Sequence, residues 1–187
     1  MRVSLECPKQ QSKTPAYSIT RQNHLHFPQV TKLCDMGSHD SVTSVNWDSK
    51  GGRIAVGTNQ GSVKLYDAAR CSLIREFSGH SGRVGTLAWN GEMLSSGSRD
   101  RSICHRDTRS PSSIIATLTG HKQEVCGLKW NEELNLLASG GNDNKLFVWE
   151  KFLEQPLHKL SDHSAAVKAL AWNPNQVLTP PLSSKFK

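Results

Sequence analysis

The sequence predicts an all-β chain, a partial β-propeller of about three four-stranded blades plus the first strand of a fourth. Three observations predict it: a period near 41 residues, side-chain alternation inside each period, and turn residues at fixed places. His39, His80, His121 and His163 recur at intervals of 41, 41 and 42 residues. Trp47, Trp89, Trp130 and Trp172 follow at intervals of 42, 41 and 42.

Between each histidine and its tryptophan stands the pattern Val-x-x-(Leu/Val)-x-Trp: Val42 to Trp47, Val84 to Trp89, Val125 to Trp130 and Val167 to Trp172. The last two apolar residues of each copy lie two apart and share one face, which is strand alternation. Small or polar residues between them (Ser44 and Asn46, Thr86 and Ala88, Gly127 and Lys129, Ala169 and Ala171) suit a strand packed closely between two sheets. Three further strand-like runs complete a repeat. In the third copy they are Leu136-Leu137-Ala138-Ser139, then Lys145 to Trp149, and, before the histidine, Ile114-Ile115-Ala116-Thr117-Leu118. Turns carry Gly, Asn and Asp, as in Gly140-Gly141-Asn142-Asp143-Asn144. A Trp-Asp-like dipeptide closes each unit: Tyr66-Asp67, Arg106-Asp107, Trp149-Glu150. Four short strands in such a period describe one blade. The repeats are placed at about 39–78, 79–119, 120–161 and, partial, 162–176, within a propeller segment at 30–176. Residues 1–29, with Pro8, Pro15 and Pro28, and 177–187, with Pro180-Pro181, match no repeat and read as flexible flanks.

Composition narrows the function classes. No run approaches the ~18 apolar residues of a membrane helix, and Met1 to Pro8 turns polar too soon for a secretory leader. The chain is expected inside the cell, in nucleus and cytoplasm, with no membrane partner. Cys7, Cys34, Cys71, Cys104 and Cys126 are odd in number and form no Cys-x-x-Cys pair, so neither a disulfide framework nor a zinc ribbon is expected. Net charge is +7, but the basic residues are scattered among acids with no basic run, which argues against a nucleic-acid partner. Histidines spaced by whole repeats sit in different blades and cannot share a metal ion. No cofactor is expected.

His121, Ser139 and Asp143 could be read as a hydrolase triad. The better reading comes from the WD repeat, which these units resemble. That resemblance implies a buried relay running from the turn Asp through His and Ser to the indole of the dipeptide Trp: Asp143, His121, Ser139 and Trp149. Such a relay leaves each buried polar atom with a partner. The second repeat has His80, Ser96 and Asp100 but Arg106 where Trp belongs. The first has His39 but Val56, Gln60 and Tyr66. These two repeats are expected to keep less of the relay, to rely more on packing, and to be locally softer than the third.

Several stretches go beyond the generic repeat: Val30 to Asp35, Arg83 to Asn90, Leu94 to Arg101, Glu124 to Trp130, Leu137 to Leu146 and Ala165 to Trp172. Over about Val30 to Asn175 the chain is similar to the Fizzy-related branch of the Fizzy family, co-activators of the anaphase-promoting complex. The resemblance implies a propeller that binds degradation signals of cell-cycle proteins, the D box and the KEN box, presents them to the ubiquitin ligase, and has no catalytic residues. Its partners would be ligase subunits and degron-bearing substrates. It carries a KEN-binding role to Asn142 or Asn144, because a carboxamide both donates and accepts. The alternative is that both asparagines only shape the turn. The sequence holds no Asp-Arg-(Phe/Tyr)-Ile-Pro box and ends Ser183-Ser184-Lys185-Phe186-Lys187 instead of Ile-Arg, the elements the family uses to engage the ligase. A generic WD-repeat scaffold without ligase activation is therefore the alternative function. Self-association through exposed blade edges is also expected.

Overall fold

A computed structural model of the chain describes residues 4–6, 30–33, 36, 38–110 and 114–173. Most of the flanks read as flexible, and Cys7 and Cys34, lie outside the described residues.

Fourteen strands run in chain order: β1 Ser4–Glu6, β2 Val30–Lys32, β3 Val42–Trp47, β4 Arg53–Thr58, β5 Val63–Asp67, β6 Ser72–Phe77, β7 Val84–Asn90, β8 Met93–Ser98, β9 Ser102–Asp107, β10 Ile114–Thr119, β11 Val125–Asn131, β12 Leu136–Gly141, β13 Leu146–Glu150 and β14 Pro156–Leu160. β3 to β6, β7 to β10 and β11 to β14 form three four-stranded antiparallel meanders, each in simple sequence order. β1, inside the segment expected to lie outside the repeats, pairs antiparallel with β2.

Two expectations are corrected. Ile114–Thr119 pairs with Ser102–Asp107, so it closes the second sheet, and the outer strand of the third is Pro156–Leu160. An antiparallel strand reached by a short connection pairs with its immediate predecessor. Second, Val167 to Trp172 is not a strand. It lies against the third sheet as the next inner strand would, with the Trp172 indole donating to Lys129 O at 2.9 Å. A strand needs a ladder, and among the described residues no strand pairs with this segment.

The sheets stack face to face, with apolar cores between neighbours. Ala55, Val63, Leu65 and Phe77 meet Val84, Leu87, Trp89 and Leu94 between sheets one and two. Met93, Ile103 and Leu118 meet Val125, Trp130, Leu137, Phe147 and Trp149 between two and three. The middle sheet is covered on both sides, so every residue of β8 is buried.

The repeat period has a packing cause. A Cβ on Gly57 would stand 2.7 Å from Val84 Cγ1, one on Gly97 2.7 Å from Val125 Cγ1, and one on Gly140 2.7 Å from Val167 Cγ1. Each second strand thus keeps a glycine where the next blade's first valine presses in. The period tryptophans also reach across: Trp89 Nε1 donates to Asn46 O at 3.3 Å and Trp130 Nε1 to Ser95 Oγ at 2.9 Å. β3, β7 and β11 each carry a bulge just after their first valine, at Val42/Ser44, Val84/Thr86 and Val125/Gly127. The bulge adds local twist at one end of every blade, beside the turns that hold the candidate site.

Candidate functional site at the turn edge

The β4–β5, β8–β9 and β12–β13 turns lie along one edge of the stack, beside the loops that bring in His80 and His121. Their backbones are equivalent. Gly61 N donates to Thr58 O, Arg101 N to Ser98 O and Asn144 N to Gly141 O, each closing a tight turn. The closing residue takes a left-handed conformation: φ is 89° at Gly61, 75° at Arg101 and 62° at Asn144. Glycine adopts this freely and Asn tolerates it, whereas Arg is strained there.

In the third blade the relay is continuous. Trp149 Nε1 donates to Ser139 Oγ at 2.8 Å, and Ser139 Oγ lies 2.8 Å from His121 Nε2. His121 Nδ1 lies 3.0 Å from Asp143 Oδ1. Because the indole can only donate, the hydroxyl passes its own proton toward Nε2, and the imidazole gives its Nδ1 proton to the carboxylate. Burial lowers the His121 pKa against the pull of Asp143, consistent with a neutral ring. Asp143 Oδ2 also accepts Lys122 N at 2.8 Å, so the relay fixes both the incoming loop and the turn. Ser139 and Trp149 are 0% exposed, so no substrate carbonyl can reach Oγ, and the hydrolase reading fails on access.

The second blade differs from expectation. His80 Nδ1 lies 2.9 Å from Asp100 Oδ2 and Nε2 2.8 Å from Ser96 Oγ. Arg106, the residue standing where Trp belongs, donates from Nη1 to Ser96 Oγ and from Nη2 to Ser78 O. The guanidinium replaces the indole as end donor, and the relay stays whole. The charge is fully buried, Nε has no partner, and burial lowers its pKa. For His80, burial pushes down but the Cys104 thiol and Asp100 together outweigh it, so its pKa is raised. Among the described residues the first blade shows no such chain from its histidine. Val56 and Tyr66 are core residues, His39 is exposed, and Gln60 Nε2 merely donates to His39 O at 3.2 Å.

The two candidate asparagines are held differently. Asn144 Nδ2 donates to Ser164 O at 3.1 Å, tying the turn to the segment that follows β14. Asn142 N donates to Glu124 O at 2.9 Å and its Nδ2 to Glu124 Oε2 at 3.4 Å. Its Oδ1 accepts from the Cys126 thiol at 3.3 Å; burial pushes that thiol's pKa up, so it keeps its proton. Glu124 is in turn clasped by Arg83 of the second blade, Nε to Oε1 at 2.7 Å and Nη2 to Oε2 at 2.9 Å.

Sequence reading missed three participants: Arg106 as relay donor, the Arg83–Glu124 clasp, and His105. His105 Nδ1 lies 2.8 Å from Ser95 Oγ, which also accepts from Trp130, while Nε2 is buried without a partner. Strand alternation along Leu94-Ser95-Ser96 would have found the last, since one serine must face the relay and the other the next blade.

Family models match in two places. The anaphase-promoting complex subunit 4 WD40 domain matches residues 18–92, and the WD domain, G-beta repeat, matches 112–150 and 154–179. The chain is a WD-repeat segment homologous to the Fizzy-related proteins. It is 55% identical over 147 residues to "Protein FIZZY-RELATED 2" of Arabidopsis thaliana, covering 79% of this chain and 30% of the relative. It is also 55% identical over 147 residues to "B-type cell cycle switch protein ccs52A" of Medicago truncatula, covering 79% and 31%. The chain thus spans about a third of the length of these relatives. Among solved structures, a chain of the mitotic checkpoint complex superposes with TM-score 0.78 at 42% identity, over 80% of this chain and 46% of that one. The similarity reaches past the WD framework: the U3-55K propeller shares the fold at TM-score 0.65 with only 23% identity.

Proposed function

We propose that the chain acts as a substrate-recognition part of an activator of the anaphase-promoting complex ubiquitin ligase, binding degradation signals of cell-cycle proteins. The observation that carries this reading is the 55% identity over 147 residues, 79% of the chain, to Fizzy-related and ccs52A relatives. The Asn142–Asp143–Asn144 turn, held by a buried relay, supplies the rigid polar edge on which a KEN-type peptide would dock. On this reading the chain contributes no catalytic group, uses no cofactor, and works in nucleus and cytoplasm with ligase subunits and degron-bearing proteins. Self-association would use the open face of β3, where Val45 is 36% exposed.

The second reading is a WD-repeat scaffold without ligase activation, since over 112–150 and 154–179 the family match is to the WD domain, G-beta repeat, alone. A pull-down with ligase core subunits and, separately, with an immobilised Lys-Glu-Asn peptide decides between them. Capture by both is expected for the activator, and capture by neither leaves the scaffold.

A further inference from the structure

We infer that Arg83 and Glu124 are positioning residues that fix the polarity of the Asn142 carboxamide, so that this turn selects a hydrogen-bond donor on its peptide. The inference rests on the reading that the Asn142 turn binds a degradation signal, and adds what the turn can discriminate. A carboxamide can present either end to a ligand, and its orientation follows from its fixed neighbours. Here both neighbours agree. Glu124 offers only acceptor oxygens, so Nδ2 must face it, at 3.4 Å. Cys126 keeps its proton and has two acceptors in reach, Oδ1 at 3.3 Å and Val167 O at 3.6 Å, of which Oδ1 is the nearer. The Asn142 oxygen therefore lies away from Glu124, and on the degradation-signal reading its second lone pair is what a peptide would meet.

Glu124 cannot swing out of this arrangement. Its side chain is 9% exposed, and both oxygens are held by the fork of Arg83, at 2.7 and 2.9 Å. A bidentate guanidinium–carboxylate pair fixes the plane of the carboxylate as well as its place. A Cβ on Gly85 would stand 3.1 Å from Glu124 Oε1, so the backbone of β7 also crowds the carboxylate. The clasp crosses from the second blade to the third, which ties the aim of the asparagine to the blade–blade contact. An approaching amide N–H or side-chain NH₂ finds an acceptor, whereas a carboxylate meets the carboxamide oxygen and is repelled.

The test compares Lys-Glu-Asn with Lys-Glu-Asp peptides on the full chain, by calorimetry. The unaltered protein should favour the asparagine peptide at least tenfold. Glu124→Gln keeps the shape, but gives its oxygen to Arg83 and its NH₂ to Asn142, so the carboxamide turns over. That preference should then shrink about tenfold; one Arg83 N–H is left facing the Gln NH₂, so the melt falls, and the ratio of the two affinities is read below it on folded protein. Arg83→Ala should lose the preference and Arg83→Lys restore part of it. A ratio unchanged in Glu124→Gln and Arg83→Ala overturns the inference, whatever the absolute affinities. If the unaltered protein binds neither peptide, the degron reading has failed, and the polarity is read without a ligand. The Asn142 side-chain amide proton signals should then move on Glu124→Gln, and signals that stay put overturn the inference.

Discussion

Ser139 and Ser96 hold equivalent places in adjacent blades, but the donors on them differ. Removing Ser139 strands an indole N–H and a histidine nitrogen, a loss of about 1–3 kcal/mol. Removing Ser96 strands part of a buried guanidinium, for which the penalty is larger. Chemical denaturation should thus show Ser96→Ala to be the more damaging change. His105 adds a pH dependence. Burial, with Arg106 beside it, lowers its pKa to about 4 from 6.5. The unfolded chain takes up a proton below about 6.5 that the folded chain refuses, so stability falls as pH drops toward 4. The full loss is on the order of 3 kcal/mol. His121, lowered mainly by burial, acts in the same direction. His80, raised, acts oppositely: its contribution is present in acid and lost as pH rises through its folded value. Melts from pH 7 to 5 should be flatter in His105→Gln than in the unaltered protein; equal slopes would remove His105 from the account. At this scale sequence matching was sound for His121, Ser139, Asp143 and Trp149, because each stands at its repeat position. It failed for Arg106, because what the relay requires is a donor, and residue identity is only a proxy for that.

The turns and strands obey rules that a period can carry. The left-handed residue at the tight turn is Gly61, Arg101 or Asn144, and of the three only Arg101 is neither glycine nor asparagine, the types that enter this region readily. Arg101→Asn should therefore stabilise the second blade by about 1 kcal/mol, read as a rise in the denaturation midpoint; a fall would mean that the arginine side chain holds the turn. Gly97 faces the Val125 side chain at a distance no Cβ can share. Gly97→Ala should cost about 1–3 kcal/mol by overpacking, and a neutral result would show that the blades slide apart easily. Strand existence was legible because alternation and turn residues recur in register. The outer strand of the third copy was misassigned, since Ile114–Thr119 stands next to the third histidine in sequence but hairpins onto β9. The absence of a ladder at Val167 to Trp172 was not legible either, because the motif is complete there and the partner is what decides.

Across the molecule, protection follows from stacking. The middle sheet is covered on both faces, whereas among the described residues the first sheet has neither a histidine relay nor a second full blade against β3. Amide exchange should be slowest in β8 and β12 and fastest in the first sheet; faster exchange in the third sheet than in the first would contradict this order. The architecture and the family were readable from the chain alone because a β-propeller is periodic. The site was readable only to the level of a turn, because the clasp that aims Asn142 joins residues 41 positions apart in two different blades. The central claim is that this turn reads a degradation signal. Its most direct measurement is the affinity of a Lys-Glu-Asn peptide for the protein, for Asn142→Ala, and for Asn144→Gly, which preserves the left-handed turn. The account predicts saturable binding that weakens at least tenfold in Asn142→Ala, whereas no binding, or equal binding by all three proteins, would contradict it.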